Sequence, residues 1–322
     1  MLARLPNPPE ASPAPERILV TGANGHLGRR LIERVAREPG GRRRVRALVR
    51  SQAAAAVLER LPDALKPEIL IVDYADTEAL ARAAAGCTGA VHLVGILRET
   101  RGSRYADAHE ATTRALAAAA PRAGLRRIVY LSILGSHAGA ANACLASKGR
   151  AEDILLAGET PALVLRVPMV IGAGDFVSRT LRGQARARLV PLLRGGRGRE
   201  QPIDGDDVIA AILAGLERPG VGREALDLAG PESLSRRELL ARSARLWNND
   251  PRVIPLPFAF ENALAFVFEK LLPDPPLTRA MLGVLDHDDD IDPRPACERL
   301  GLKLTPLDET LRRCVGPGSE AA

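Results

Sequence analysis

Gly22, Gly25 and Gly28 recur at three-residue spacing within Ile18-Leu-Val-Thr-Gly-Ala-Asn-Gly-His-Leu-Gly28. Glycines so placed let a turn bend tightly and bring bare backbone N–H groups against an anion, which is phosphate chemistry. Ile18 to Val20 are apolar in succession and suit a strand buried on both faces. After the turn, Leu27, Leu31 and Val35 fall on one helical face with arginines opposite. Strand, glycine turn and amphipathic helix in this order are what a dinucleotide pyrophosphate requires. The competing reading is a turn that binds nothing. The candidate contacts are Thr21, Gly22, Asn24, Gly25, His26, Leu27 and Gly28.

The second candidate group lies at the end of the next strand, where Val45–Val49 runs into Arg50-Ser51 and the nearest downstream acid is Glu59. A carboxylate at this point accepts from the adenosine ribose hydroxyls and repels a 2′-phosphate. A guanidinium instead binds that phosphate through paired charge-assisted hydrogen bonds. Arg50, with Ser51 as a helper, therefore favours NADP(H) over NAD(H); the competing reading makes Arg50 one of many surface arginines. Gly95 closes a later strand, where a side chain would crowd the cofactor.

The elements that must position these groups alternate regularly. Further strands are expected at Ile69–Val72, Ala90–Val94, Arg127–Leu131 and Ala162–Val167. Helices are expected near 53–61, 77–85, 105–120 and 143–157. Such alternation argues an α/β fold with a doubly wound parallel sheet of the Rossmann kind over residues 17–175. The pattern loosens after Asp175. A short strand at 201–203, a helix at 206–216, a strand at 225–228 and a helix opened by the capping box Ser235…Glu238 are expected there. Residues 1–16 contain five prolines and 316–322 close the chain; both are expected to be tails.

Composition narrows the class. Apolar residues make up 46% and charged residues 26% of the 322 positions, ordinary for a globular protein. The net charge of +6 permits anionic partners, but no nucleic-acid motif is present. Cys87, Cys144, Cys297 and Cys314 match no metal spacing and read as reduced thiols of a cytoplasmic protein. Seven arginines fall in 179–199, suited either to a phosphate-bearing or lipid anion or to an exposed loop. The acidic run from Asp286 through His287 to Asp292 lacks calcium-loop spacing and reads as a solvated loop. Phe258, Phe260, Phe266 and Phe268 are four of the chain's five phenylalanines. The helix expected at Phe258–Leu272 is too short to span a bilayer. It is either a peripheral contact with a membrane or membrane complex, on the cytoplasmic face, or part of the core.

Thr21-Gly22-x-x-Gly25-x-x-Gly28 resembles the cofactor fingerprint of the extended and atypical short-chain dehydrogenase/reductase superfamily. The resemblance implies a smaller α+β substrate or partner lobe from about 176 to 315. It also implies that Asp73 contacts the adenine amine and that Ser132, Pro168 and Val170 lie against the nucleotide, within Arg166-Val-Pro168-Met-Val-Ile-Gly172-Ala-Gly174-Asp175 for the last two. The superfamily's chemistry uses a Tyr-x-x-x-Lys pair on the helix after the fifth strand. The matching stretch here is Cys144-Leu-Ala-Ser-Lys148: the lysine, which holds the nicotinamide ribose, is present, and Cys144 stands at the tyrosine. Leu134 stands where the family's serine or threonine is common. The segments His92-Leu-Val-Gly-Ile96, Leu131-Ser-Ile-Leu-Gly-Ser136 and Pro276-Leu-Thr278-Arg-Ala-Met-Leu282 are similar to the NADPH-binding alpha-subcomplex subunit 9 of respiratory complex I and its bacterial relatives. Two functions follow from the resemblance. One is a nucleotide held for structure, sensing or assembly. The other is an oxidoreductase or epimerase acting on a small carbonyl, quinone-like or nucleotide-sugar substrate without the usual tyrosine.

Overall fold

The computed structural model describes residues 15–220, 222–257, 278, 281, 283–284 and 288–319. The first half of the chain alternates strand and helix as its apolar pattern demands. In order it forms β1 (Glu16–Thr21), α1 (His26–Ala36), β2 (Arg43–Val49), α2 (Gln52–Glu59), β3 (Glu68–Ile71) and α3 (Thr77–Ala84). Next come β4 (Gly89–His92), α4 (Thr112–Arg122), β5 (Ile128–Ile133), α5 (Ala143–Ala157) and β6 (Ala162–Val167). The second half adds β7 (Val170–Ile171), α6 (Phe176–Arg186), β8 (Leu189–Leu193), β9 (Arg199–Glu200), β10 (Ile203–Asp204) and α7 (Gly205–Glu217). It continues with β11 (Glu224–Asp227), β12 (Leu234–Ser235), α8 (Arg236–Arg245), β13 (Arg252–Leu256), α9 (Arg294–Leu300) and α10 (Leu307–Cys314).

Seven of these strands form one sheet in the order β11-β6-β5-β4-β1-β2-β3, all parallel. The strand order reverses between β1 and β4, the switch point at which open α/β sheets bind ligands beyond their carboxyl ends. β1 shows why its residues are apolar on both sides. Ile18 and Val20 pack with Leu31 and Val35 of α1 on one face, while Leu19 packs with Leu116 and Leu155 of α4 and α5 on the other.

The boundary expected at residue 175 does not divide the core. α7 sends Val208, Ile209 and Ile212 into the same cluster as β1 and α1, and β11 extends the main sheet beside β6. α7 buries its apolar face on this cluster, so the chain returns to the sheet after leaving it. A separate small cluster forms from Ile171, Leu181, Leu239 and Leu311 around α6, α8 and α10. The serine half of the expected capping box is present, with the Ser235 hydroxyl accepting from the Glu238 N–H at 3.1 Å, while the Glu238 carboxylate accepts from Arg242.

The arginine-rich segment is structured. Arg179 donates to the Gly174 carbonyl at 2.6 Å, and the Arg186 guanidinium lies 4.9 Å from the Trp247 ring centre. Arg199 meets the acidic run: its N–H donates to Asp288 at 2.7 Å and its side chain pairs with Asp290 at 3.3 Å. Two oddly charged stretches, far apart in sequence, thus partly neutralise each other. Asp286, His287 and the segment Phe258–Leu272 lie outside the described residues. No helix among the described residues is long and apolar enough to cross a membrane.

Candidate functional site

Gly22 follows β1 directly and adopts φ +68°, a conformation that suits glycine. A Cβ there would also lie 3.1 Å from the Leu93 carbonyl at the end of β4. The Gly25 N–H donates to the Gly22 carbonyl at 3.0 Å and closes the turn. At Gly28 a Cβ would come within 2.5 Å of the Ala23 carbonyl oxygen, so the third glycine lets α1 press against the turn that feeds it.

α1, like α4, α9 and α10, begins without a side-chain cap, whereas six other helices carry one. α2, α3, α5, α6, α7 and α8 begin with side-chain caps from Ser51, Asp76, Asn142, Asp175, Asp204 and Ser235. The cap position before α1 is Gly25, which has no side chain to offer. A helix leaves its first N–H groups without intrahelical acceptors, and here the positive end of the dipole is left for an external anion. Burial holds His26, the first residue of α1, below the usual imidazole range. Its Nε2 is buried without a hydrogen-bond partner, and it lies 3.1 Å from where a Gly172 Cβ would sit. The Gly172–Asp175 turn is therefore packed against the start of α1. Asn24 and Leu27 are half-buried in the same turn.

Arg50 is exposed immediately after β2 and has no acidic partner among the described residues. Ser51 caps α2, accepting from the Ala54 N–H at 3.2 Å. Asp73 is exposed two residues past β3, with one carboxylate oxygen accepting from the Ala75 N–H at 3.0 Å in a local turn. Tyr74 beside it is buried; its hydroxyl accepts from the Gly22 N–H at 3.0 Å and donates to the Leu48 carbonyl at 2.6 Å.

Across the switch point the site is closed. Lys148 on α5 is buried, and its Nζ donates to the Leu131 carbonyl at 2.9 Å and lies 4.5 Å from the Tyr130 ring centre. Burial lowers its pKa to about 8. A Cβ on Gly95, three residues past β4, would approach that Nζ to 3.0 Å. Cys144, one helical turn before Lys148, is buried and donates weakly to the Ile96 carbonyl at 3.6 Å. Burial pushes its thiol up to about 11, against the pull of the Lys148 charge. Leu134 is buried too.

A π-helical turn at Ala106–Ala111 brings His109 to the Ile96 backbone, whose N–H donates to Nε2 at 3.1 Å. Tyr105 stacks on His109 at 5.5 Å and donates its hydroxyl to the Leu97 carbonyl at 2.9 Å. His92 bridges the Thr21 hydroxyl at 2.7 Å and that of Thr113 at 3.2 Å. Burial depresses both imidazoles to about 3, so both are neutral at physiological pH. Ser132 stands apart from the expected contacts: its hydroxyl is committed to the buried Glu152 carboxylate, which Arg166 also holds at 2.6 Å. Pro168 and Val170 are half-buried between β6 and β10.

The chain has three tyrosines, and all are buried around this crevice. Tyr74 touches the glycine turn, Tyr105 lies over the Ile96–Leu97 backbone and Tyr130 supports Lys148. Their scarcity was the available signal, and reading by motif passed over it, as it did His92 and His109.

Glycine turn, uncapped helix, switch point and the buried Lys148 together form a nicotinamide-nucleotide site, similar to that of the atypical short-chain dehydrogenase/reductases. Residues 22–173 match the NAD(P)H-binding family. The chain is 27% identical over 249 residues to the mitochondrial NADH dehydrogenase [ubiquinone] 1 alpha subcomplex subunit 9 of Arabidopsis thaliana, covering 76% of this chain and 61% of that one. It thus spans less than two thirds of that subunit's length. It is 29% identical over 241 residues to the ceramide reductase of Caulobacter vibrioides, covering 74% and 73% of the two chains. Among solved structures, the Bordetella bronchiseptica enzyme WbmG in complex with NAD shares the fold with a TM-score of 0.70 at 17% identity, covering 93% of each chain.

Proposed function

We propose that this protein binds NADP(H) in preference to NAD(H) and holds it for a structural, sensing or accessory role, like the complex I subunit it resembles. One observation carries the reading. The ribose-side Lys148 is retained, while the proton-donor position is occupied by Cys144, a short buried thiol turned to a backbone carbonyl. A bound nicotinamide supplies hydride chemistry, but a carbonyl substrate also needs a proton donor within hydrogen-bond reach. Neither Cys144 nor Leu134 extends one to the crevice.

In this reading the first N–H groups of α1 hold the pyrophosphate, and Arg50 takes the 2′-phosphate. Asp73 has a carboxylate oxygen to spare for the adenine amine, and Lys148 supports the nicotinamide ribose. The test is titration of the purified protein with NADPH and NADH, followed by NADPH oxidation against a panel of small carbonyls and quinones. Tight NADPH binding without turnover is expected; rapid turnover of a panel member overturns the accessory role. A cytoplasmic location with docking of Phe258–Leu272 on a membrane or membrane complex rests on the sequence alone, and co-sedimentation with anionic vesicles tests it.

A further inference from the structure

We propose that Tyr74 is the positioning residue of the nucleotide cradle, a buried phenol that locks the glycine turn to the end of the second strand. The proposal rests on nucleotide binding at this crevice and adds the part that holds it in shape. Gly22 leaves the β1 ladder at φ +68°, so its N–H loses a strand partner just where the turn begins. A buried backbone donor left unpaired is costly. The Tyr74 hydroxyl accepts that bond at 3.0 Å and passes its own proton to the Leu48 carbonyl at 2.6 Å.

The positions joined in this way are the ones a dinucleotide spans. Gly22 opens the pyrophosphate turn. Leu48 lies two residues before Arg50, whose charge acts on the phenol. Tyr74 itself follows Asp73 at the end of β3. The side chain is 3% exposed, so it is held in place by packing and does not compete with the ligand for space. Gly22 and Leu48, at the end of the strand that leads to Arg50, are thereby fixed relative to each other by one residue, before any nucleotide arrives. Such preorganisation lowers the ordering cost of binding.

Tyr74→Phe keeps the ring and removes both hydrogen bonds. Calorimetric titration of the full chain with NADPH and with 2′,5′-ADP, well below the melting temperature, should show affinity for both weakened about tenfold. Exchange of the Gly22 amide, followed by NMR in the nucleotide-free protein, should be slow in the parent and fast in the variant. A merely structural role would lower the melting temperature and leave both affinities unchanged, and that result overturns the proposal. If the variant does not fold, the parent decides: fast exchange at Gly22 overturns the lock, and slow exchange supports it. A parent that binds neither NADPH nor NADH overturns the nucleotide reading with it; a parent and variant of equal affinity overturn only the role of Tyr74.

Discussion

The two ends of the crevice are built on opposite principles. Around the amino end of α1 the protein leaves polar groups open: a helix without a side-chain cap, a turn of glycines and an exposed Arg50 with no acidic partner among the described residues. Around Lys148 it encloses them. The ammonium lies among carbonyls and the Tyr130 ring, Cys144 faces the Ile96 carbonyl, and His92 and His109 are neutral and buried. Open donors bind an anion because they lack a partner. Most of the enclosed groups are committed to bonds within the fold. On the proposed reading the difference separates holding a nucleotide from using it, and each half can be perturbed alone.

The largest effect is expected at the open end. Gly28→Val would drive a branched side chain into the Ala23 backbone, where even a Cβ approaches to 2.5 Å. Overpacking of this kind costs about 1–3 kcal/mol or more. Nucleotide binding should be lost, as measured by titration, with a lower melting temperature. Retained affinity would mean that α1 need not pack on the turn.

The closed end should show itself in acid. His92 and His109 are depressed to about 3 in the folded chain, so below about pH 6.5 the unfolded chain binds more protons and stability falls with pH. Together they should remove about 3 kcal/mol between pH 6.5 and 5, by denaturant titration at each pH. His92→Gln should remove part of that slope. An unchanged slope would show that the imidazole is not held neutral.

Arg50→Asp should weaken NADPH by about 1.5–3 kcal/mol, or ten- to a hundredfold, and leave NADH nearly unchanged, because only NADPH carries the 2′-phosphate. Equal losses for both nucleotides would place Arg50 elsewhere. Lys148→Met tests whether the enclosed end also contributes to binding. The parent should lose NADPH affinity as pH rises through about 8, where Lys148 gives up its charge, and the variant should be weaker and flat over that range. The smallest effect sharpens the comparison most. Cys144→Ala should leave nucleotide affinity within about twofold, since the thiol is buried and bonded to protein. A larger loss would give Cys144 a place at the cofactor.

The sheet was legible because its strands are short apolar runs separated by amphipathic helices, and that periodicity is local. Gly22, Gly25 and Gly28 were legible for the same reason, since a turn and the helix it opens are contiguous in sequence. Arg50 could be placed at a strand end by counting. The accounts of charge could not be read in this way. Ser132 looked available until Glu152, twenty residues away, took its hydroxyl. The acidic segment read as a solvated loop and the arginine-rich one as either an anion site or an exposed loop, and neither reading foresaw that Arg199 meets Asp288 and Asp290. Sequence alone determined the fold class, the glycine turn and the presence of Cys144 where the resemblance expects a tyrosine. Only the tertiary structure decided that α7 and β11 rejoin the main sheet, that Tyr74 ties Gly22 to β2, and that Lys148 and the histidines are buried. Periodicity reports which face of an element is apolar, whereas a hydrogen bond or a desolvated charge depends on which distant residue completes the surroundings.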